Sequence, residues 1–130
     1  MRTLVIGDIH GAYKALMQVL ERANYTIEDK VIFLGDVADG WVEVPECVTK
    51  ILSMPNTVYI LGNHDMWLRD YLSRGSAPSI WTSQGGRATI DAYERLDNLE
   101  MNIRHLMFLR AAKPYYIDEE NRLFVHGGFD

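Results

Sequence analysis

Residues 31–40 of the chain read Val31-Ile32-Phe33-Leu34-Gly35-Asp36-Val37-Ala38-Asp39-Gly40. A short apolar run of this kind predicts a strand that is buried on both faces, and the glycine that follows ends it. The same pattern occurs at residues 4–6, ended by Gly7, and at residues 58–61, ended by Gly62. The sequence therefore predicts several buried strands, each with polar residues directly after its carboxyl end.

The segments between these strands have helical patterns. Residues 13–22 have apolar side chains at helical spacing, and Pro45 suits the first turn of a helix over residues 46–54. Strands that alternate with helices predict an α/β fold with a mainly parallel sheet. Further along the chain we predict helices over residues 66–72, 87–96 and 101–111, a long loop over residues 73–86, and strands at residues 115–117 and 123–125.

Composition and charge exclude several classes of protein. A chain of 130 residues, 48% of them hydrophobic, fits one folded domain, and its net charge of −5 with scattered basic residues argues against a nucleic-acid surface. No apolar run approaches the roughly 20 residues of a membrane-spanning helix, and Asp8 comes too early for a signal peptide. A single cysteine, Cys47, excludes an intrachain disulfide and is expected to be a buried apolar residue. We therefore expect a soluble, cytoplasmic protein with neither a nucleic-acid nor a membrane partner.

Asp, Asn and His residues follow the predicted strands at the points where those strands end. In chain order they are Asp8, His10, Asp36, Asp39, Asn63, His64 and His126. The functional loops of a parallel sheet leave the carboxyl ends of its strands, so we expect these side chains to converge. Three of the four histidines belong to this set, whereas His105 lies in a predicted helix and is interpreted as structural or solvated.

Carboxylate, amide and imidazole ligands together suit Mn, Fe or Zn better than Ca or Mg. In an extended loop, residues two apart point the same way, so Asp8 and His10 can bind one ion. Four converging loops could hold two ions that share a carboxylate. Two ions about 3.5–4 Å apart clamp a phosphoryl group and activate a water, and a nearby histidine can protonate the leaving oxygen. Each residue alone has an ordinary alternative as a turn former or a solvated loop residue, but the combination predicts a two-metal hydrolytic site.

The order and spacing of these motifs resemble the calcineurin-like metallophosphoesterases. The motifs are Gly7-Asp8-Ile9-His10-Gly11, Gly35-Asp36-Val37-Ala38-Asp39, Gly62-Asn63-His64-Asp65 and Val125-His126-Gly127-Gly128. Within that family the chain looks most like the bacterial and phage phosphoprotein (Ser/Thr) phosphatases, relatives of the diadenosine tetraphosphatases, which residues 81–89 and 105–116 also resemble. The resemblance implies a four-layer α/β/β/α sandwich, here mainly its N-terminal sheet with the accompanying helices.

The resemblance also implies two divalent metal ions, expected to be Mn²⁺, with Fe or Zn possible. It assigns Asp8 and His10 to the first metal, Asp36 to both metals as a bridge, and Asn63 and His126 to the second.

The resemblance further implies a proton donor. His64 is assigned as the general acid, and Asp39 as the carboxylate that holds it. A histidine in this role needs such a partner to fix its tautomer and support its charge. Asp65 is expected to orient the loop around them.

The chain departs from the family pattern in two respects. Many members have arginines where this chain has Gly40 and Leu61, so an arginine clamp on phosphate would have to come from elsewhere; the candidates are Arg69, Arg74 and Arg87. The family also has a final Gly-His motif that supplies a metal ligand well beyond His126. We therefore interpret residues 1–130 as a metallophosphoesterase domain that is truncated before that motif.

Three functions fit this sequence. The first is a metal-dependent phosphatase acting on phosphomonoesters, in particular phosphoserine or phosphothreonine in proteins. The second is a pyrophosphohydrolase of dinucleotide polyphosphates, and the third is a non-catalytic scaffold with a phosphatase fold. We expect residues 73–86 to govern specificity, and we expect an uncovered sheet surface to favour a homodimer.

Overall fold

The computed structural model describes residues 2–127 of the chain. Its strands are β1 (Thr3–Ile6), β2 (Lys30–Phe33), β3 (Thr57–Tyr59), β4 (Tyr116–Ile117) and β5 (Leu123–Phe124). Its helices are α1 (Tyr13–Arg22), α2 (Val44–Ser53), α3 (Asn63–Arg74), α4 (Ser79–Trp81), α5 (Arg87–Leu96) and α6 (Leu99–Ala111).

The first three strands form a parallel sheet in the order β1-β2-β3. β2 lies in the centre, and all four of its residues are buried because strands flank it on both sides. β1 is an edge strand, and Val5 on it is 47% exposed. Helices α1 and α2 connect the strands. The predicted α/β fold with a mainly parallel sheet is therefore confirmed, and the carboxyl ends of all three strands lie at one edge.

The helices pack mainly against one another and enclose a single apolar core. α2 contacts α1, α5 and α6, and α3 packs along α6. Cys47 on α2 is fully buried, as predicted. Asn98 caps α6, because its side chain accepts a hydrogen bond from the Met101 amide at 3.0 Å. Among residues 2–127, none of the helices combines the length and the apolar character needed to cross a bilayer.

β4 and β5 form an antiparallel hairpin with an acidic turn between them. Asp118 stabilises that turn by accepting hydrogen bonds from the Glu120 and Arg122 amides, at 3.1 and 2.8 Å. The hairpin is tied to the start of β2, since the Lys30 ammonium contacts the Tyr116 hydroxyl and lies 3.6 Å from Glu119. These contacts hold the end of β5 beside the parallel sheet, although β5 is not one of its strands.

Two local predictions are wrong. The helix predicted over residues 66–72 begins earlier, at Asn63, because the Asp65 carboxylate accepts a hydrogen bond from the Gly62 amide and caps the first turn. The predicted loop over residues 73–86 is mostly ordered in helices and turns. α4 runs into a kinked, wide turn over Thr82–Gly86, and α5 follows directly. The Gly, Ser and Pro content of this segment hid its helical parts.

Candidate metal centre

The loop after β2 begins with a sharp turn. Gly35 and Asp36 both have a left-handed backbone, with φ of 100° and 61°. A Cβ on Gly35 would lie 2.7 Å from the Gly62 amide nitrogen and from the Ile60 carbonyl oxygen, so only glycine fits at this position. The glycine thereby brings the loop after β2 against the loop after β3, and with it the side chains that both loops present.

Asp8, His10 and Asp36 form the first part of a cluster. One ligand atom from each of them lies within 4.8 Å of the others. The His10 Nε2 atom is 3.4 Å from an Asp8 carboxylate oxygen and 4.0 Å from one of Asp36. These three predicted metal ligands are therefore brought together.

The route by which Asp8 and His10 meet differs from the predicted one. The loop is not extended, because His10 has a left-handed backbone with a φ of 50°. Its amide, and that of Ile9, donate hydrogen bonds to the Asp36 carbonyl, at 2.9 and 3.2 Å. A hydrogen-bonded turn between two loops, and not the alternation of an extended chain, therefore places His10 beside Asp8.

Asn63 and His126 complete the cluster on the other side of Asp36. The His126 Nε2 atom lies 3.2 Å from an Asp36 carboxylate oxygen and 3.1 Å from the Asn63 side-chain oxygen. The His126 Nδ1 atom is 3.9 Å from Asp8. The Asp36 carboxylate is therefore the member that both halves of the cluster share.

Both histidines of the cluster are oriented by backbone carbonyls. The Nδ1 atom of His10 lies 2.9 Å from the Ala38 carbonyl oxygen, and that of His126 lies 2.7 Å from the Leu34 carbonyl oxygen. A carbonyl can only accept, so Nδ1 of each ring donates. In the neutral ring, Nε2 then presents its lone pair to the cluster, the arrangement found in metal-binding histidines.

The electrostatics of the cluster favour a cation. Burial lowers the pKa of His10, but the hydrogen bond to Ala38 and the carboxylates of Asp36, Asp8 and Asp39 outweigh burial and raise that pKa overall. Carboxylate oxygens and imidazole lone pairs that face each other at 3–4 Å repel unless positive charge lies between them. The residues present therefore fit divalent metal ions, with Asp36 placed to touch both.

His64 and Asp39 form a separate pair beside this cluster. The His64 Nδ1 atom lies 2.7 Å from an Asp39 carboxylate oxygen, and Asp39 is only 1% exposed. The His64 ring also packs edge-on against His10 and Trp67, with 5.3 Å between ring centres in both cases. Donation from Nδ1 to Asp39 leaves Nε2 as the nitrogen that can carry a transferable proton.

Asp65 joins the loops on which the site is built. It is fully buried, and its carboxylate accepts hydrogen bonds from the amides of Asp36, Ala38 and Gly62, at 2.9, 3.2 and 3.0 Å. The Tyr59 hydroxyl donates to the same carboxylate at 2.7 Å. Burial raises the pKa of Asp65 in spite of these four donors, which lower it. Asp65 lies where the sequence predicts a loop-orienting residue.

Sequence reasoning missed several of the contacting groups. Tyr59 is predicted only as a strand residue. Trp81 and Thr89, which both donate to Asp39, are predicted only as part of a stretch that resembles the family. None of these roles has a local signal, because each depends on a contact between distant parts of the chain. Of the arginines proposed to contact phosphate, Arg74 and Arg87 pair loosely with carboxylates on their own helices, at 3.9 and 4.0 Å.

His105 and a cavity beside it lie away from the metal cluster. One cavity, of about 830 Å³, opens between α2 and α6, and His105 forms part of its wall. His105 is 1% exposed and is hydrogen-bonded to the Tyr93 hydroxyl at 2.7 Å and to Thr49 at 3.1 Å. Burial lowers its pKa to about 4, so it is a neutral structural residue, in agreement with the sequence interpretation.

The fold and the cluster together define a class of protein. Carboxylate, amide and imidazole ligands meet at the carboxyl edge of a parallel sheet, and a buried His–Asp pair lies beside them, as in metal-dependent hydrolases of the α/β type. The chain belongs to the calcineurin-like phosphoesterase family, whose profile matches residues 1–130. The family recognised in the sequence is confirmed at this level.

Two curated relatives of the chain have names that describe nucleotide substrates. The chain is 28% identical over 127 residues to a symmetrical bis(5'-nucleosyl)-tetraphosphatase from Coxiella burnetii, covering 97% of this chain and 41% of the relative. It is 26% identical over 141 aligned residues to the asymmetrical bis(5'-nucleosyl)-tetraphosphatase PrpE from Anoxybacillus flavithermus, covering 95% and 56% of the two chains. The chain thus spans about half the length of these relatives or less.

A solved structure supports the fold independently. A protein serine/threonine phosphatase from Saccharomyces cerevisiae superposes with a TM-score of 0.71 at 17% identity, covering 98% of this chain and 38% of that one. At this identity the likeness establishes the fold alone, and the calcineurin-like fold predicted from the motifs is confirmed by it.

Proposed function

We propose that this protein is a dinuclear metal-dependent hydrolase of phosphoric esters, with His64 as the general acid. The observation that supports this most directly is the 2.7 Å contact between His64 and the buried Asp39, directly beside the Asp8–His10–Asp36 cluster. A protein that only bound metal would have no need of an oriented imidazole next to its ligands. Asp8 and His10 would hold one ion and Asn63 and His126 the other, with Asp36 between them.

The ions, when bound, would supply Lewis-acid polarisation of the phosphoryl group and a water of lowered pKa as the nucleophile. The chain's own contribution is to move a proton. As the bond between phosphorus and the leaving oxygen breaks, His64 gives that oxygen the proton on Nε2, and the imidazole then regains a proton from water. Asp39 keeps Nδ1 protonated and supports the positive charge that His64 carries before the transfer.

The test is hydrolysis of 4-nitrophenyl phosphate by the protein with Mn²⁺, with an EDTA-treated sample as the blank. Metal-dependent turnover is expected, and Asp70→Asn, which changes an exposed carboxylate on α3, should leave it intact. A protein that binds Mn²⁺ tightly and yet turns over neither this ester nor any other phosphate compound would contradict the proposal. That outcome would favour the scaffold function instead.

Two substrate classes share this chemistry. Phosphomonoesters, including phosphoserine and phosphothreonine in proteins, are the first. Dinucleotide polyphosphates are the second, and the curated relatives, which are tetraphosphatases, support it. Only groups outside the metal centre can distinguish the two classes, because both place a phosphoryl group on the same ligands.

One feature of the chain favours the nucleotide class. Trp41 is 67% exposed, although its backbone is fixed beside the cluster by a hydrogen bond from its amide to the His10 carbonyl at 2.8 Å. An exposed indole next to a phosphate site can stack a base, a contact worth about 1–3 kcal/mol. Trp41 would thus recognise the nucleoside portion of a dinucleotide.

Rates on a phosphoserine peptide and on diadenosine tetraphosphate decide between the classes. If Trp41 stacks a base, Trp41→Ala raises the KM for diadenosine tetraphosphate about 5- to 100-fold, and the KM for 4-nitrophenyl phosphate changes much less. Equal effects on the KM of both substrates would remove Trp41 as a reason to prefer nucleotides.

A cytoplasmic location and a homodimer also stay predictions. Sedimentation velocity of the purified protein tests the homodimer.

A further inference from the structure

We propose that Trp81 and Thr89 are positioning residues for the proton donor: together they fix the Asp39 carboxylate in the orientation that holds His64. This inference rests on the proposed function and extends it to a segment that overlaps residues 73–86, for which the sequence predicts a role in specificity, and that also includes the start of α5. The segment consists of α4, the Thr82–Gly86 turn and the first turn of α5.

The Asp39 carboxylate has a donor for each of its oxygens in addition to His64. The Trp81 indole donates to Oδ2 at 2.7 Å, the same oxygen that the His64 ring contacts, and the Thr89 hydroxyl donates to Oδ1 at 2.7 Å. Hydrogen bonds to an ionised group are shorter and stronger than neutral ones. With donors on both oxygens, the carboxylate cannot rotate without breaking at least one of these bonds.

Thr89 holds the backbone of Asp39 as well as its side chain. Its hydroxyl oxygen accepts a hydrogen bond from the Asp39 amide at 3.1 Å while its proton goes to the carboxylate. The backbone of Asp39 is left-handed, with a φ of 71°, which costs energy in a residue other than glycine. Thr89 thus stabilises both the unusual backbone and the rotamer that it produces.

The turn between α4 and α5 is shaped to reach Asp39. Gly85 has a left-handed φ of 100°, and a Cβ there would lie 3.0 Å from the Gly40 amide nitrogen and 3.3 Å from the Asp39 Cβ. A Cβ on Gly86 would lie 2.6 Å from the Trp81 ring. Both glycines therefore permit close packing that a side chain would prevent, and the packing places the indole N–H against the carboxylate.

Apolar packing alone does not account for this arrangement. Trp81 and Thr89 are both fully buried, and a core that needed only volume could use phenylalanine and valine at these positions. The polar atoms of both residues instead meet at one carboxylate, 42 and 50 residues away along the chain. The shared target is the group that orients His64, which is why we assign these residues to catalysis through Asp39 and His64.

The test uses Trp81→Phe, which keeps an aromatic ring but removes the indole N–H, and Thr89→Val, which keeps the side-chain shape but removes the hydroxyl. Both variants are assayed with Mn²⁺ on 4-nitrophenyl phosphate and on phenyl phosphate. Phenolate is the poorer leaving group and depends more on a well-placed acid. We expect kcat to fall about 10- to 100-fold on phenyl phosphate, several-fold less on 4-nitrophenyl phosphate, and KM to stay within about twofold. Thr89→Ser, which keeps the hydroxyl, should retain most of the wild-type kcat, and Thr57→Val, a matched change at the start of β3, should leave kcat unchanged.

A double-mutant cycle isolates the route of the effect. In a His64→Asn background, Trp81→Phe should cost little further activity, because its partner in the mechanism is already gone. An equal loss on both esters, or an equal loss with and without His64, would show that Trp81 and Thr89 only support the core and would overturn the inference.

A measurement without catalysis separates this inference from the proposed function. In proton NMR spectra of the metal-free protein, the Nδ1–H proton of His64 should give a downfield signal that is absent in His64→Asn. Trp81→Phe and Thr89→Val should shift or broaden that signal, and Thr57→Val should not. If the protein hydrolyses nothing, these spectra still decide: an unchanged signal in both variants overturns the positioning role, and a changed one supports it.

Discussion

Asp36 and Asp39 lie in the same loop, three residues apart in sequence, and both are buried with left-handed backbones. Their surroundings are nevertheless opposite. Around the Asp39 carboxylate, an imidazole, an indole and a hydroxyl all donate at 2.7 Å. The Asp36 carboxylate accepts one hydrogen bond from the His64 amide at 3.0 Å and otherwise faces His126, at 3.2 Å, and more distantly His10.

This difference indicates what each carboxylate can do. Three donors occupy the buried Asp39 carboxylate, so that side chain is placed to hold a partner and is not accessible to an external ion. The negative charge of Asp36 is not balanced by its protein neighbours. Its carboxylate lies against the N-terminus of α3, whose amides supply only partial compensation. The donors around the two carboxylates thus support the proposed division, with metal binding at Asp36 and proton-donor orientation at Asp39.

The largest expected effect comes from removing the charge of Asp36. Asp36→Asn should abolish Mn²⁺-dependent phosphatase activity, a loss of more than about 10⁴-fold, because both ions depend on this carboxylate. Steady-state assays over a range of Mn²⁺ concentrations measure this loss. Activity that returns fully at high Mn²⁺ would mean that the other ligands suffice and that Asp36 does not bridge.

Removing the proton donor should have a smaller effect and leave the metals in place. His64→Asn should lower kcat about 10²- to 10⁴-fold, while the metal content of the purified protein, measured by mass spectrometry, stays that of the wild type. This variant tests the role proposed for Asp39, since it removes the imidazole that Asp39 contacts. Full activity in His64→Asn would contradict the role assigned to this pair.

A histidine outside the site provides a reference for stability. The pKa of His105 is lowered from 6.5 to about 4 by burial, so the unfolded chain binds this proton more readily than the folded one. The free energy of unfolding should therefore fall as the pH drops from 6.5 toward 4, by up to about 3 kcal/mol from this residue.

The measurement is urea unfolding of wild type and His105→Gln at several pH values. The gap in stability between the two proteins should narrow as the pH falls through this range. A constant difference in the free energy of unfolding would mean that His105 is protonated in the folded protein as readily as in the unfolded chain. An unchanged kcat of His105→Gln at neutral pH would show that the stability effect does not involve the metal centre.

The smallest effects are expected from the surface arginines. Arg74 and Arg87 are exposed and pair loosely with carboxylates on their own helices, contacts worth about 0–1 kcal/mol. Arg74→Ala and Arg87→Ala should change KM for 4-nitrophenyl phosphate less than about twofold. A tenfold increase in either variant would identify that arginine as a phosphate ligand and would show that charge outside the cluster contributes to binding.

The strands and the polar residues that follow them could be predicted from the sequence. Apolar runs ended by glycine are a local signal, and Asp8, Asp36 and Asn63 occupy the expected edge of the sheet because parallel strands all end there. His126 also reaches that edge, although it follows a hairpin strand, because contacts of Lys30 hold the hairpin against β2.

The surroundings of Asp39 could not be predicted in the same way. Trp81 comes from a segment whose Gly and Ser content is typical of loops, and Thr89 comes from the predicted helix that follows it. Their partner lies 42 and 50 residues away in sequence. Asp36 and Asp39 are the same residue type in the same loop, so their local sequence does not reveal the difference in their surroundings. The contacts around Asp39 are long-range hydrogen bonds, which no periodicity or spacing encodes.

The division of labour between Asp36 and Asp39 is tested most directly by calorimetric titration of Mn²⁺ into Asp36→Asn and Asp39→Asn, with the wild type alongside. Each variant removes one negative charge from the same loop, so the two are matched controls for each other. The metal-bridging role predicts that Asp36→Asn loses Mn²⁺ binding, whereas Asp39→Asn binds within about tenfold of the wild type. Equal loss of affinity in both variants, or a larger loss in Asp39→Asn, would contradict it.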